Sequence, residues 1–355
     1  MSGGDTSHGT ICKDTNNKQK PPNQKQRTQY QNMTIKNFQQ ALNEEFSQQT
    51  YGENPVELYE PIRYLMALGG KRMRPLMTLM ATALFTDDWQ KAVKPASAVE
   101  VFHNFTLMHD DIMDNAPLRR GKPTVHEKWN ANIAILSGDV MLVQAYELLM
   151  EVEDSRFKKA MKRFNRTAAE VCEGQQLDMN FESREQVTET EYLEMIKLKT
   201  SVLLGFALEL GGIIAGASDK SCELLYEIGI NIGLGFQLKD DLLNVYGDPE
   251  KFGKQVGGDI ISNKKTFMLI EAIEKASGET KELLDKWLNI KTFDNAEKVK
   301  AVTEIYDSLG IKQLAEAKIN DYFDKGLKCL DALKVDEERK TELRAFAEML
   351  IDREV

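Results

Sequence analysis

HNFTLMHDDIMD, residues 103–114, is the stretch that decides the fold of this 355-residue chain. Its apolar residues recur at helical spacing and predict one partly buried helix. The apolar stripe consists of Phe102, Phe105 and Ile112. On the opposite side, His103, Asp110 and Asp114 are separated by seven and four residues, which places them on one helical face with Asp111 beside them.

Three carboxylates clustered beside apolar packing repel one another, and removing them from water costs several kcal/mol per ion. They must therefore take up protons or bind cations. Oxygen ligands of this kind suit Mg²⁺, which commonly bridges a few carboxylates to substrate phosphates. A solvated acidic helix face is the alternative interpretation, and one such motif alone does not decide between the two.

A second aspartate-rich segment, GLGFQLKDDLLNVYGD, spans residues 233–248. Its polar helical face consists of Gly233, Gln237, Asp240, Asp241 and Asn244. We expect Gly233 to leave space beside that face for a bulky substrate. Two aspartate pairs in apolar helices, 130 residues apart, can face each other across a cavity, as carboxylate metal sites in helix bundles do.

Basic residues accompany the first aspartate segment. Lys71, Arg72 and Arg74 lie between a Gly-Gly pair and a proline, near a predicted helix N-terminus. Backbone amides and the helix dipole favour phosphate at such a position. Arg119 and Arg120 follow the aspartates in a predicted loop, and the arginine fork suits bidentate contacts with phosphate.

Further lysines lie near the second aspartate segment. Lys199 belongs to an otherwise apolar stripe, where a lysine that extends its ammonium to solvent is the alternative interpretation. The loop that follows the second segment contains Lys254, Lys264 and Lys265. Simple surface charge is the alternative interpretation for these three.

The distribution of proline predicts helices nearly throughout. No proline lies between Pro123 and Pro249, and none follows Pro249. Long proline-free segments with apolar residues every three to four positions, and few alternating runs, predict one large all-α domain. Helix breaks are expected at Gly69-Gly70, 115–124, Gly174 and 247–265.

The N-terminal segment, the net charge and the longest apolar stretch limit which classes of protein this chain can belong to. Residues 1–32 are polar and predicted to be a disordered N-terminal extension, which leaves 33–355 as the folded domain. The net charge of −10 argues against broad nucleic-acid binding. No signal peptide is recognisable, and residues 203–217 fall short of the ~20 apolar residues that span a bilayer. We therefore expect a soluble, cytoplasmic protein without a membrane span. The cysteines, none in a CxxC pair, are Cys12, Cys172, Cys222 and Cys329.

These motifs resemble those of the trans-isoprenyl diphosphate synthases, also called polyprenyl synthetases. GGKRMRP, DDIMD followed by RRGKPT, GQQLD, KT and FQLKDD occur in the family's order, and the resemblance covers about residues 50–270. It implies a homodimer in which each subunit is an all-α bundle around a deep central cavity. It also implies a Mg²⁺-dependent short-chain prenyltransferase, with 33–355 as the catalytic domain. The substrates would be isopentenyl diphosphate and an allylic diphosphate (dimethylallyl, geranyl or farnesyl).

The resemblance further implies residue roles. Asp110, Asp114 and Asp240 would bind Mg²⁺, with three ions per site when substrate is bound, and Asp111 and Asp241 would act in support. The allylic diphosphate would be held by Arg119, Lys199, Thr200, Gln237, Lys254 and Lys264. Isopentenyl diphosphate would be held by Lys71, Arg74, His103 and Arg120. In one departure from the motif, Asn244 replaces a third aspartate and adds no charge.

Product length in the family depends on the residues five and four positions before the first aspartate, here Phe105 and Thr106. One aromatic residue at the fifth position, with no insertion inside DDIMD, goes with twenty-carbon products. We therefore expect geranylgeranyl diphosphate, with farnesyl diphosphate as the rival. Thr106 lies one turn before Asp110 and should face the cavity more directly, so Phe105 could instead be a core residue.

Three other functions fit part of the pattern. A class I terpene cyclase shares the first motif but would carry an Asn/Asp, Ser/Thr, Glu triad where this chain has DDLLNVYGD. An HD-type metal phosphohydrolase is suggested by His109-Asp110 but needs a separate upstream histidine, and His103 is too close in sequence. A non-catalytic synthase subunit would have lost aspartates, whereas both motifs are nearly complete here.

Overall fold

The structure, a computed structural model, describes residues 33–248 and 256–351. Two of the predictions, the disordered extension at 1–32 and the phosphate contact of Lys254, lie outside the described residues.

Helices make up most of the described chain, with one short hairpin beside them, which confirms the all-α prediction. In chain order they are Ile35–Gln48 (α1), Val56–Ala67 (α2), Met73–Ala83 (α3), Val93–Met113 (α4), Val125–Lys128 (α5), Ala131–Leu149 (α6), Asp154–Ser183 (α7), Glu189–Ile196 (α8), Val202–Ala215 (α9), Asp219–Tyr246 (α10), Gly258–Ile261 (α11), Phe267–Lys275 (α12), Gly278–Asn289 (α13), Asn295–Ser308 (α14), Ile311–Asp331 (α15) and Glu337–Ile351 (α16). A 3₁₀ turn spans Gln90–Ala92, and a π-helical turn, Lys197–Ser201, joins α8 to α9. Leu118–Arg119 (β1) and Lys122–Pro123 (β2) pair as a short antiparallel hairpin.

Helix α9 lies at the centre of the bundle because its sequence, VLLGFALELGGIIA, is apolar on every side. It packs against α3, α7 and α10. Where α3 crosses it, the hydroxyl of Thr78 donates a hydrogen bond to the carbonyl of Ala207 at 2.8 Å. Its one charged residue, Glu209, pairs with Arg163 of α7 at 2.7 Å, so the helix can stay buried with its charge compensated.

Two helical segments, Ala131–Leu149 and Glu189–Ala215, are long and apolar enough to cross a membrane by length and composition alone. The length argument made from residues 203–217 therefore does not hold for the whole second segment. Most of that segment is buried inside the bundle, as the core helix of a globular domain is, whereas only 33% of Ala131–Leu149 is buried. The absence of a membrane span stays a prediction.

The predicted helix breaks have mixed outcomes. Gly69-Gly70 separates α2 from α3, and α10 ends at Tyr246 as expected. The break predicted at Gly174 was wrong, because α7 runs without interruption through it. A helical glycine costs only ~1 kcal/mol relative to alanine, so packing around the missing side chain can outweigh that cost.

Candidate active site

The three carboxylates of the first aspartate segment lie at the end of α4 in different surroundings. Asp111 is buried and accepts two hydrogen bonds from Arg119 of the hairpin, 2.8 Å from Nε and 2.7 Å from Nη2. Asp110 is half-buried and Asp114 is more exposed. Partial desolvation and the charge of Asp110 raise the pKa of Asp114. A cation bound between Asp110 and Asp114 would relieve this repulsion.

The second aspartate segment, on α10, also has one buried carboxylate and one that is less buried. Asp241 is buried, and it accepts a hydrogen bond from the phenol of Tyr192 and one from the amide of Gln237 at 3.4 Å. Burial raises the pKa of Asp241 to about 7. Asp240 beside it is only half-buried. Each segment therefore has one deeply held carboxylate and at least one that a ligand can reach.

Side chains of the π-helical turn Lys197–Ser201 contact both aspartate helices, α4 and α10. The ammonium of Lys199 lies 3.1 Å from Asp110 and 2.7 Å from Asp178 of α7. The next residue, Thr200, donates a hydrogen bond of 3.4 Å to Gln237, which in turn contacts Asp241. Two adjacent residues of one turn thus contact both aspartate segments. A π-helical turn is rare in proteins and is often found at functional sites.

Two glycines allow neighbouring helices to approach this turn. A Cβ atom on Gly174 of α7 would lie 2.2 Å from the backbone nitrogen of Lys199, and one on Gly233 of α10 would lie 2.7 Å from Ser201. Both distances are too short for real atoms. The prediction that Gly233 leaves room for a substrate was therefore wrong: the space beside it is filled by the turn that carries Lys199 and Thr200.

A second basic cluster surrounds His103 on α4. Burial, together with repulsion from Arg74, Arg119 and Arg120, holds the pKa of His103 well below its usual range, so the ring is neutral at pH 7. Burial lowers the pKa of Arg74 to about 10, and its Nε is buried without a hydrogen-bond partner in the described chain. An anion bound here would satisfy that donor. Lys71 is exposed just before the start of α3.

Glu100 lies beneath this cluster and was not predicted as a site residue. Its side chain is buried, and its carboxylate accepts a hydrogen bond from Asn104 at 3.3 Å. Burial raises the pKa of Glu100, although the charge of Arg74 opposes the shift. Arg120 reaches the cluster across Gly70, where a Cβ atom would lie 2.7 Å from its guanidinium. Gly70 also has a φ of 142°, which few other residues adopt.

Asn244 has a structural contact that its sequence position did not reveal. Its side-chain oxygen accepts a hydrogen bond of 3.0 Å from the backbone N–H of Asp259, and its carbonyl accepts one of 2.6 Å from Gly257. Asn244 therefore holds the loop at 256–265 against α10. A metal contact through the same oxygen would compete with this bond.

Lys264, in that loop, lies within electrostatic reach of both aspartate segments. Its ammonium is 3.9 Å from Asp178. Although desolvation opposes the shift, nearby carboxylates raise the pKa of Lys264. These carboxylates belong to Asp178, Asp259, Asp241 and Asp114. The two aspartate segments therefore share one electrostatic environment.

A cavity of about 340 Å³ opens beside Asp110 and Lys199. Phe105 and Thr106 both line it, so the alternative of Phe105 as an ordinary core residue is not favoured. Beyond the charged end its walls include Met113, Val171 and Met179. An apolar chain attached to a diphosphate would fit this arrangement, with its charge near the aspartates and its hydrocarbon in the cavity.

Most of the predicted site residues come together around the π-helical turn and the His103 cluster. Asp178 is the main residue that sequence reasoning missed, although it is the aspartate of the motif GQQLD. Its position one turn after Gly174 on α7 was the available signal, because that glycine marks where the turn bearing Lys199 approaches. The described residues contain no preassembled group of three or more metal-binding side chains. The donors nevertheless fit a hard cation, since all are carboxylate oxygens.

Two aspartate-bearing helices that contact one π-helical turn, with a cavity beside Asp110, in an all-helical bundle, are the features of the isoprenoid-synthase class of enzymes. The model of the family described as polyprenyl synthetase matches residues 55–306, and the chain belongs to that family.

Individual relatives agree with this assignment. The chain is 42% identical to geranylgeranyl diphosphate synthase of Methanosarcina mazei over 303 residues, which cover 84% of this chain and 91% of the relative. A crystal structure of a geranylgeranyl pyrophosphate synthase is 45% identical, with a TM-score of 0.86 over 91% of this chain and 99% of the other. The synthase of Corynebacterium glutamicum, described as complexed with isoprenyl diphosphate and magnesium, is 28% identical, with a TM-score of 0.76 over 92% of this chain and 99% of the other. These matches favour a prenyltransferase over an HD-type phosphohydrolase.

Proposed function

We propose that this prenyltransferase condenses isopentenyl diphosphate with an allylic diphosphate to form geranylgeranyl diphosphate, farnesyl diphosphate or both. The observation that carries the proposal is the π-helical turn, in which Lys199 contacts Asp110 while Thr200 contacts Gln237 of the second segment. The Lys199 ammonium and the Thr200 hydroxyl therefore each contact one aspartate segment, and both residues line the cavity. The similarity to geranylgeranyl diphosphate synthases supports the substrate class.

Asp110, Asp114 and Asp240 would hold divalent metal, which we take to be three Mg²⁺ per site in the presence of substrate. Asp111 is already neutralised by Arg119, and Asp241 is held by Tyr192, so both would act by orienting their neighbours. Bound Mg²⁺ would supply positive charge that stabilises the departing diphosphate. The magnesium reported with the Corynebacterium glutamicum relative supports this choice of metal.

Two basic groups would hold the two substrates apart. Arg119, Lys199, Thr200, Gln237 and Lys264 would bind the allylic diphosphate, since they surround the aspartate segments. Lys254, outside the described residues, is proposed to join them. Isopentenyl diphosphate would be bound by Lys71, Arg74, His103 and Arg120. The neutral His103 can donate one hydrogen bond to that diphosphate without adding charge.

The reaction needs no covalent nucleophile from the protein. As the carbon–oxygen bond of the allylic diphosphate breaks, Lys199 and Arg119 would stabilise the charge developing on the departing diphosphate. The double bond of isopentenyl diphosphate attacks the allylic cation, and a proton is then lost to the departing diphosphate. The apolar cavity walls keep water from the cation.

Product length would be set where the growing chain meets the wall formed by Phe105 and Thr106. Phe105 is only partly buried, and its ring packs 5.5 Å from that of Phe102 and 4.8 Å from that of His109. A ring supported in this way is a firm obstacle to a longer chain. The family pattern of one aromatic residue at the fifth position is what favours a twenty-carbon product, with a fifteen-carbon product as the rival.

We further propose that the chain forms a homodimer in the cytoplasm through the outer face of α6. Leu136 and Val143, seven residues apart, and Met150, seven further on, are each more than half exposed. Seven residues correspond to about two helical turns, so these side chains share one face. Asp139 and Glu147 lie between them, so this face mixes apolar and charged side chains, as the interfaces between protein subunits do.

The decisive experiment is an incubation of the purified chain with isopentenyl diphosphate and each allylic diphosphate in turn, with MgCl₂ or with EDTA. Products are dephosphorylated and sized by chromatography. A twenty-carbon or fifteen-carbon alcohol formed only with MgCl₂ is expected. Absence of any elongated alcohol from a folded chain in MgCl₂ would refute the proposed function.

A further inference from the structure

A cleft between α1 and α2, the α1–α2 cleft, is separate from the main cavity and has a volume of about 280 Å³. None of its lining residues also lines the cavity beside Asp110. Its polar lining includes Gln49, Tyr51, Arg63 and Arg72, and none of the described residues that line it is acidic. Two guanidinium groups in a cleft without carboxylates indicate a site for an anion.

Arg72 is the basic residue of GGKRMRP to which the proposed function gives no role. Its backbone is in the left-handed region, with a φ of 46°. Its side chain turns to α1, where Nη1 donates a hydrogen bond of 2.8 Å to Asn43 and the guanidinium lies 4.3 Å from the centre of the Phe46 ring. Arg74, in contrast, lines the main cavity. The two arginines of this motif therefore face different spaces.

Gln49 leaves a buried hydrogen-bond donor in the wall of the α1–α2 cleft. Its Oε1 accepts a hydrogen bond of 2.7 Å from the hydroxyl of Tyr51, which is only 9% exposed. This bond orients the amide, and Nε2 is buried without a hydrogen-bond partner in the part of the chain that the structure describes. A buried donor without a partner is costly, and an anion in the cleft would supply the missing acceptor.

Arg63 brings a second guanidinium to the cleft from α2. Its Nη1 donates a hydrogen bond of 2.6 Å to the carbonyl of Gly52, and the guanidinium has further N–H groups for a ligand. Arg63 is exposed, so solvent reaches the cleft at this residue. Within the described chain, the hydrogen bonds of Arg63 and Arg72 go to uncharged oxygens. A multiply charged anion would match these two cations.

We propose that the α1–α2 cleft binds a diphosphate group, either as inorganic diphosphate or as the head group of a prenyl diphosphate. Arg63 and Arg72 would supply charge-assisted hydrogen bonds, and Nε2 of Gln49 would donate a further one. The site shares no residue with the two basic groups proposed above for the substrates. The choice of a diphosphate as ligand rests on the proposed function, whose reaction releases inorganic diphosphate, whereas the binding of an anion does not.

Calorimetric titration of the purified full chain with inorganic diphosphate tests this proposal. EDTA removes metal from the aspartate segments, and saturating isopentenyl diphosphate fills its own pocket. The wild-type chain should bind one inorganic diphosphate ion per chain. Gln49→Glu keeps the acceptor for Tyr51 and replaces the donor with a carboxylate. Gln49→Glu and Arg63→Gln should each weaken binding at least ~10-fold, because each removes a hydrogen bond to a charged group.

Arg344→Gln is the matched control, because Arg344 of α16 does not line the cleft, and it should bind like the wild type. Titration with isopentenyl diphosphate alone distinguishes the two sources of the ligand. A second molecule bound by the wild type and not by Gln49→Glu would identify the prenyl head group.

Titrations that superpose for the wild type, Gln49→Glu and Arg63→Gln would overturn the inference. If circular dichroism shows that Gln49→Glu does not fold, Arg63→Gln decides alone. A chain that binds diphosphate in this cleft but forms no prenyl product contradicts only the proposed function.

Discussion

At the scale of single residues, each aspartate segment contains carboxylates with opposite surroundings. Asp111 and Asp241 are buried and held by Arg119 and Tyr192, whereas Asp110 can be reached by a ligand. The deeply held members are tied to neighbouring elements, and we propose the accessible members as the ligands of the metal. The sequence did not show which carboxylates are buried and which are accessible, since all of them are aspartates in the same two motifs.

The accessible aspartates should be essential for turnover and dispensable for folding. Asp110→Ala or Asp240→Ala should lower turnover at least ~10²-fold, because each removes a proposed ligand of the metal that stabilises the leaving diphosphate. Circular dichroism should stay near that of the wild type. Asp88→Ala, at an exposed aspartate outside both motifs and before the start of α4, is the control. Near-normal turnover in either site variant would refute the assignment.

Glu100 should make folding stability depend on pH. Burial raises its pKa, so the folded state binds its proton more tightly than the unfolded state does. The resulting cost is present above the folded pKa and disappears as the pH falls below the unfolded value of ~4.3. Glu100→Gln should therefore raise the free energy of unfolding at pH 8 and have little effect at pH 4.

Urea unfolding of both proteins at several pH values measures this difference. Glu338→Gln, at an exposed glutamate on α16, should show no such dependence. A stability gain for Glu100→Gln that stays constant from pH 8 to pH 4 would show that the charge of Glu100 is not its cause.

Phe105 should limit product length directly. Phe105→Ala removes the ring from the cavity wall and should lengthen the main product by one or more five-carbon units, measured by chromatography of the dephosphorylated products. Phe346→Ala is the comparison, because Phe346 of α16 is buried in the core and does not line the cavity, and its loss should affect stability by ~3–5 kcal/mol instead. An unchanged product from active Phe105→Ala would assign chain length to another residue.

At the scale of helices and loops, sequence periodicity predicted which regions are helical. It did not predict where the helices are locally distorted. The proline-free segments predicted helix across the regions of α7 and α10, because burial of an apolar stripe decides helix formation. Gly174 and Gly233 were misinterpreted, one as a break and one as substrate space. Both are contact points for the π-helical turn, and no local pattern shows which distant segment will fill the space beside a glycine.

The loop that carries Lys264 depends on a buried lysine of α14. Lys298 is 1% exposed, donates hydrogen bonds to the Ile261 carbonyl (3.2 Å) and to the side chain of Asn263 (2.7 Å), and lies over the Phe293 ring. Lys298→Met removes these bonds and should release the loop. We expect the Michaelis constant for the allylic diphosphate to rise about tenfold, with a loss of ~1–3 kcal/mol in unfolding free energy.

Lys340→Met is a matched control for that variant. Lys340 is also 1% exposed and makes two hydrogen bonds, to Asp331 and Glu337, in a part of the fold without site residues. It should lose comparable stability while keeping the wild-type Michaelis constant. Equal effects of the two substitutions on that constant would show that Lys298 acts only through general stability.

At the scale of the whole molecule, the outer face of α6 should mediate self-association. Val143→Asp places a charge among the apolar side chains of that face and should shift the mass in solution from that of a dimer toward that of the 40.3 kDa chain, measured by light scattering after gel filtration. Val56→Asp changes another exposed valine, on α2 (48% exposed against 57% for Val143), and should not alter the mass. A wild-type chain that is already monomeric would contradict the proposed homodimer.

The sequence allowed the bundle and its two aspartate segments to be predicted, since composition, proline distribution and motif order all depend on local residues. It did not reveal the contact between Asn244 and the following loop, the ion pair between Lys199 and Asp178 or the packing of Gly174 against the π-helical turn. Each of these joins residues on different elements, and their approach is determined only when the helices pack.

The turn at Lys197–Ser201 also fixes the rotational phase of everything that follows it. A π-helical turn holds one residue more than an α-helical turn, so it amounts to an insertion within a continuous helix. One residue corresponds to about 100° of rotation around a helix axis. Deleting a single residue from the turn would therefore rotate α9 by that angle and present a different edge of it to Thr78. A relative whose alignment has a one-residue gap here should therefore bury a different side of its core helix.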